Sequence, residues 1–265
     1  MNTLTLAARD TATMLRRNLK HTLRYPTMVT MIIGMPIVLL LLFVYVFGAT
    51  LGNGLAGTAH GGRAAYLTYV TPGIIAMTVA AAASATAVSV ATDMTEGIVT
   101  RFRTMAISRV SILSGHVIGC IIQNLLGIAA VTCAAVLLGF RTTAGPAQWI
   151  EATGFLTLFV LAITWLSVAL GLASSSVEVA SNAPMFLMVL PFLGSGFVPT
   201  SSMPSAIRWF TEYQPFTPAI QTLRGLLLGT PIGDNAIIAI AGCIGITLAC
   251  YLWARKLFSR DPSRS

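Results

Sequence analysis

Charge is what this chain has least of. Of its 265 residues only 9% are Asp, Glu, Lys or Arg, where a soluble domain carries about 25%. With 55% of residues from the AVILMFWYC set and a mean hydropathy of +0.82, that scarcity excludes a disordered chain and an ordinary soluble enzyme. A polytopic membrane protein is expected instead. Histidine is almost as rare, with only His21, His60 and His116. The four cysteines, Cys120, Cys133, Cys243 and Cys250, all fall inside apolar stretches. They form no CxxC pair and no Cys/His spacing suited to zinc, so they read as apolar filler rather than a disulfide framework or a metal site. A cleavable signal peptide is not expected either, because the first long apolar run begins near Thr27 and is long enough to span.

What is present is a series of apolar runs. A bilayer core of about 30 Å needs about 20 mostly apolar residues in helix, and six segments qualify, at 28–49, 69–92, 112–139, 153–175, 181–199 and 235–254. The fifth contains Pro184, Pro191 and Pro199 and is expected to kink, since each proline removes a backbone donor and clashes with the preceding turn. Six spans put both termini on one side, and the basic residues say which. Twelve of the sixteen lie in the first tail, the loop after span two and the last tail, against Arg63, Arg141, Arg208 and Arg224 on the other side. The positive-inside rule therefore predicts cytoplasmic termini, as in a protein of the cytoplasmic membrane. The net charge of +8 thus reads as topology and headgroup contact, not as nucleic-acid binding. Before the first span, Leu4, Ala8, Ala12, Leu15, Leu19 and Leu23 recur at helical spacing while Arg9, Arg16, Arg17 and Lys20 occupy other positions. Residues 1–27 read as a helix in the cytoplasmic interface, or else as a simple polybasic anchor.

The spans hold little chemistry. No Asp, Glu, Lys or Arg occupies their central portions. Gly194-Ser195-Gly196 suggests an intramembrane serine nucleophile, but such a serine needs a base within reach, and all three histidines precede it. In rhomboid proteases the base follows. Small residues that let a helix bend or pack closely are the better account. Ion-coupled transporters place acids or broken helices near the midplane within repeats, whereas here span-embedded acids and internal repeats are absent. The energy source is expected outside this chain.

The loop after span two points to a partner. Asp93 and Glu96 form an approximate capping arrangement at an expected helix start. Beyond it Ile98, Phe102, Met105 and Ala106 can share one face while Arg101, Arg103 and Arg109 project elsewhere. By periodicity alone this short amphipathic helix could equally rest on headgroups.

Glu96-Gly97, Arg101-Phe102-Arg103 and Ile107-Ser108-Arg109 resemble the cytoplasmic loop of ABC-2 type transporter permeases, particularly the daunorubicin-resistance-like drug exporters of actinobacteria. A second stretch agrees: Phe192 to Gly196, Phe197-Val198-Pro199, Met203-Pro204, Gln214-Pro215-Phe216-Thr217-Pro218 and Leu223-Arg224-Gly225. One departure is Ala106, where close relatives tend to have proline. The resemblance implies a single all-α transmembrane domain over 1–265, with six spans across 28–254, a coupling-helix loop at 93–111, an external re-entrant hairpin at 200–234 and a cytoplasmic tail at 255–265. It implies a non-catalytic permease that dimerises with itself or a relative and pairs with a separate ABC ATPase subunit, where ATP and Mg are bound. No GxxxxGKS/T phosphate loop occurs in this chain.

By the same resemblance, Glu96, Gly97, Arg101, Phe102, Arg103, Met105 and Arg109 would seat in the ATPase, with Glu178, expected in the turn between spans four and five, as a second contact. Gly196, Pro199, Pro204, Pro215, Pro218 and Arg224 would form the external gate. Gln123, Asn124 and Ser195 are candidates for the substrate path. A path with hydroxyls and amides but no charge suits a hydrophobic or amphipathic small molecule or lipid. The rivals are an ion-coupled or channel-like transporter with no motor, and an exporter of glycan or lipid-linked polymer, for which more aromatics than 8% would be expected.

Overall fold

The computed structural model describes residues 26–54, 61–95 and 109–259. Every regular element among them is helical: α1 Pro26–Leu42, a π-helical turn Phe43–Phe47, α2 Gly48–Asn53, α3 Arg63–Thr95, α4 Arg109–Leu137, α5 Pro146–Ala173, α6 Val177–Asn182, α7 Met185–Leu193, a 3₁₀ turn Thr200–Ser202, α8 Ser205–Tyr213, α9 Phe216–Leu228 and α10 Asn235–Ser259. Five stretches are long and apolar enough to cross a membrane: Ile33–Asn53, Arg63–Thr92, Val117–Leu137, Pro146–Ala173 and Asn235–Leu257.

These match five of the six expected spans, with earlier starts for the second and fourth. Hydropathy marks the apolar centre of a helix, whereas the helix itself starts where its first turn is stabilised. In α5, Pro146 takes the first helical position, where its missing N–H costs nothing. There the Gln148 side chain also accepts from the Gly145 N–H at 2.7 Å.

The fifth expected span, 181–199, is not one helix. The chain forms α6, breaks at Ala183–Pro184, forms α7, and leaves helical geometry after Leu193. Two of the three prolines explain more than a kink. Pro184 cannot donate to continue α6, Pro191 removes a further donor inside α7, and Gly194-Ser195-Gly196 then turns the chain away. The helix start expected at Asp93 is likewise absent, because Asp93 lies in the last turn of α3.

At 33 residues α3 is about 50 Å long, and it is the axis of the fold. Within its most apolar window 72% of residues are buried, against 22% for the first span and 17% for α10. Its composition makes this possible. Thr71, Thr78 and Thr86 return their hydroxyls to the carbonyls four residues back, at 2.7, 2.9 and 3.0 Å, so these three buried hydroxyls need no water. Small residues let neighbours approach closely. A Cβ placed on Gly171 of α5 would lie 2.6 Å from the Ala87 carbonyl oxygen of α3. On its other side α5 meets α10 through Trp165 and Tyr251, edge to face at 5.0 Å.

Candidate functional site

Alternating helix directions give the molecule two ends. At one lie the end of α3, the start of α4, the turn between α5 and α6, and the end of α10. Of the expected coupling residues, Glu96, Gly97, Arg101, Phe102, Arg103 and Met105 lie outside the described residues, and Arg109 opens α4 with its side chain also outside them. Glu178 is not in the turn but in the first turn of α6, exposed. Its carboxylate there favours the positive end of the short helix, whose first turn is capped by Ser176 Oγ accepting from the Val179 N–H at 3.2 Å. Glu178 thus belongs to a short helix that packs against α3.

At the other end the chain between α7 and α10 folds back on the core. The turn 194–197 is irregular backbone with carbonyls that no helix satisfies, and side chains from two helices serve them. Tyr66 OH donates to Phe197 O at 3.3 Å, Tyr69 OH to Ser195 O at 3.0 Å, and Arg224 Nη2 to the same Ser195 O at 2.7 Å. Arg224 Nη2 also donates to Tyr69 O at 3.1 Å, and its Cζ lies 3.9 Å from the centroid of the Tyr69 ring, a cation–π contact. From α9's first turn, Thr217 Oγ1 accepts from Ser195 N at 3.3 Å. Gln214 Nε2 donates to Leu190 O at 2.8 Å and to Thr217 Oγ1 at 3.2 Å. The turn lies flat on α3: a Cβ on Gly73 would sit 2.5 Å from Gly196 O. Burial pulls the Arg224 guanidinium below its ordinary pKa, an effect that Tyr69 opposes.

Of the expected gate residues, Gly196 lies in this turn and Arg224 is fastened to it through the Ser195 carbonyl. Pro215 and Pro218 line a cleft of about 110 Å³ between α5 and α10, floored by Phe159, Ile163 and Cys243. Pro199 and Pro204 lie away from this cluster, at the starts of the 3₁₀ turn and of α8. There Arg208 donates to the carbonyls of Thr200, Ser201 and Met203. The segment expected as a re-entrant hairpin thus forms two short helices: α8, with Trp209 and Tyr213 exposed, and α9, largely buried and ended by Gly229 at φ +66°.

Gln123 and Asn124 stay on α4, apart from Ser195. Asn124 is buried with its Oδ1 unpartnered, and so is the Ser195 hydroxyl. Only the backbone of Ser195 engages the cluster. Sequence reasoning missed Tyr66, Tyr69 and Gly73. Their spacing of three and four puts them on one helical face, and that was the available signal.

The model of the ABC-2 type transporter family matches residues 9–228. The chain is 28% identical over 225 residues to the daunorubicin resistance ABC transporter permease protein DrrB1 of Streptomyces coeruleorubidus, covering 84% of this chain and 77% of the relative. It is 26% identical over 218 residues to the probable doxorubicin resistance ABC transporter permease protein DrrC of Mycobacterium tuberculosis, covering 81% and 76%. With most of its length matched and five of its helices long and apolar enough to cross a membrane, the chain belongs to the ABC-2 type transporter family.

Proposed function

We propose that this chain is the permease subunit of an ATP-driven exporter in the cytoplasmic membrane, moving a hydrophobic or amphipathic small molecule or lipid. The observation that carries the reading is where charge is missing. Among the described residues, the five spans keep acids and bases to their ends, namely Arg63, Glu151, Arg255 and Lys256. A path without an ionisable group can shape an apolar cargo but offers nothing for ion coupling, so the energy comes from a separate ATPase subunit. The relatives' names tie them to daunorubicin and doxorubicin resistance, in keeping with cargo of this character.

Counting α6–α7 as a broken sixth crossing gives both termini one side, which the basic residues assign to the cytoplasm, and Glu178 then faces the motor. Phe102 and Met105 serve as apolar anchors, and Arg101 and Arg103 pair with acidic groups of the ATPase. ATP binding closes two motor subunits, their coupling segments move, and a pair of permeases shifts its population between closed and open outer ends. Hydrolysis resets it.

Two results test this. Purification from the native membrane in mild detergent, with crosslinking between 101 and 109, recovers an ATP-binding subunit. Reversal of Arg101 and Arg103 to Glu lowers export at least tenfold while membrane insertion is unchanged, the order expected when charged contacts are replaced by repulsion. Recovery of no ATPase, or unchanged export, overturns the reading.

A further inference from the structure

We propose that Arg224 is the release point of the outer closure, fastening the 194–197 turn to α3 through the carbonyls of Ser195 and Tyr69, so that opening requires both to let go of it. The inference rests on the exporter reading and assigns the group on which its gating turns.

Two features set Arg224 apart from the other donors around the turn. It is the charged one, and it joins three separate pieces of chain: α9 that carries it, the turn through Ser195 O, and α3 through Tyr69 O and the Tyr69 ring. Its partners are neutral. Among the described residues no carboxylate pairs with Arg224, whose contacts are carbonyls and an aromatic face. A buried ion pair broken on one side would leave an uncompensated charge, whereas carbonyls released from a guanidinium can be served by water or by their neighbours. Satisfaction is also incomplete, since Arg224 Nε is buried without a partner, as are Ser195 Oγ and Gln214 Oε1 nearby in the chain of contacts. Unmet buried polar groups raise the free energy of the closed arrangement, and an arrangement that wets them relieves it.

The surface that must part is built to separate. Gly73 and Gly196 meet backbone to backbone, with no room for a Cβ on either side, so at this point the turn lies against α3 without interlocking side chains, while Phe197 at its far end packs on Phe43 and Phe192. The hydrogen bonds of Tyr66, Tyr69 and Arg224 tie its carbonyls down. Tyr66 and Tyr69 hydroxyls each serve one carbonyl of the turn. Loss of the Arg224 contact removes the one charged link among α9, the turn and α3.

The test uses Ser195→Cys as a reporter in the full chain lacking its four native cysteines, reconstituted with the co-purified ATPase and labelled from the outer side with a membrane-impermeant maleimide. Ser195 is 1% exposed, so labelling reads opening. At rest, Arg224→Gln is expected to label about tenfold faster than the parent, the order given by one lost charge-assisted hydrogen bond. Arg224→Lys falls between, because a point charge cannot bridge two carbonyls and stack. Tyr69→Phe, which removes one hydroxyl and keeps the ring, gives a smaller rise. ATP accelerates the parent towards the rate of Arg224→Gln and leaves that variant little changed. Resting rates in Arg224→Lys and Arg224→Gln within twofold of the parent overturn the proposal. If Arg224→Gln does not assemble, Arg224→Lys and Tyr69→Phe decide it. Absence of any co-purifying ATPase sinks the exporter reading instead, since the resting rates need no nucleotide.

Discussion

Helices α3 and α10 are both long and apolar, of nearly equal hydropathy, yet they occupy opposite situations. Most of α3 is enclosed, while α10 presents Ile237, Ile240, Ile244, Leu248 and Leu252 to the surroundings. The difference lies in side-chain size and in how polar groups are used. In α3, alanines, Gly73 and threonines with internally satisfied hydroxyls permit close contact on all sides, and a tyrosine face receives the 194–197 turn. The outer face of α10 is bulky and aliphatic, suited to lipid tails. In a membrane there is no gain from burying leucine against protein rather than lipid, so the axis of the fold goes to the helix that packs most closely, not to the most hydrophobic one.

That contrast can be broken by matched substitutions, read as shifts in apparent unfolding temperature of the purified protein. The largest effect is expected for Ile74→Ala on α3, fully buried, where a cavity costs about 2–5 kcal/mol. Leu248→Ala on the exposed face of α10 should cost far less, since lipid or detergent fills the space. Equal losses would mean that α10 faces protein as tightly as α3. A smaller loss, about 1–3 kcal/mol, is expected for Gly73→Ala, whose Cβ would overlap the Gly196 backbone. Smallest is Gly245→Ala on α10, where a Cβ meets nothing within 4 Å. It should be neutral or slightly stabilising, by up to about 1 kcal/mol from helix propensity. A matching drop at Gly245 would place a tight contact on α10 and undo the assignment of its face.

Much of this was legible beforehand, for physical reasons. Apolar runs marked five spans, because a bilayer imposes one length and one composition. The ABC-2 resemblance rested on two motifs, and the match over 9–228 agrees with it. Less legible was the segment 181–199: its three prolines announced a bend, but whether a helix kinks or breaks depends on what receives the freed carbonyls, and that comes from Gln214, Tyr69 and Arg224 far along the chain. Arg224 itself was counted as one of four basic residues outside the cytoplasm. Hydropathy treats an arginine between apolar runs as solvated; here its guanidinium is enclosed by two carbonyls and a ring supplied by α3 and the 194–197 turn. Glu178 moved only one element, from a turn into the helix beginning at Val177. The expected coupling residues from Glu96 to Met105 lie outside the described residues, and their role rests on the family's pattern.

The central claim, that this chain moves an apolar cargo only with energy supplied by another subunit, is tested most directly by reconstitution. Vesicles carrying the chain with its co-purified ATPase, the chain alone, or the ATPase alone are loaded with a fluorescent hydrophobic cation and given ATP, with proton and sodium gradients imposed or collapsed. The expected result is transport only when both subunits and ATP are present, unchanged by collapse of either gradient. Transport by the chain alone, driven by an ion gradient and indifferent to ATP, would contradict the account.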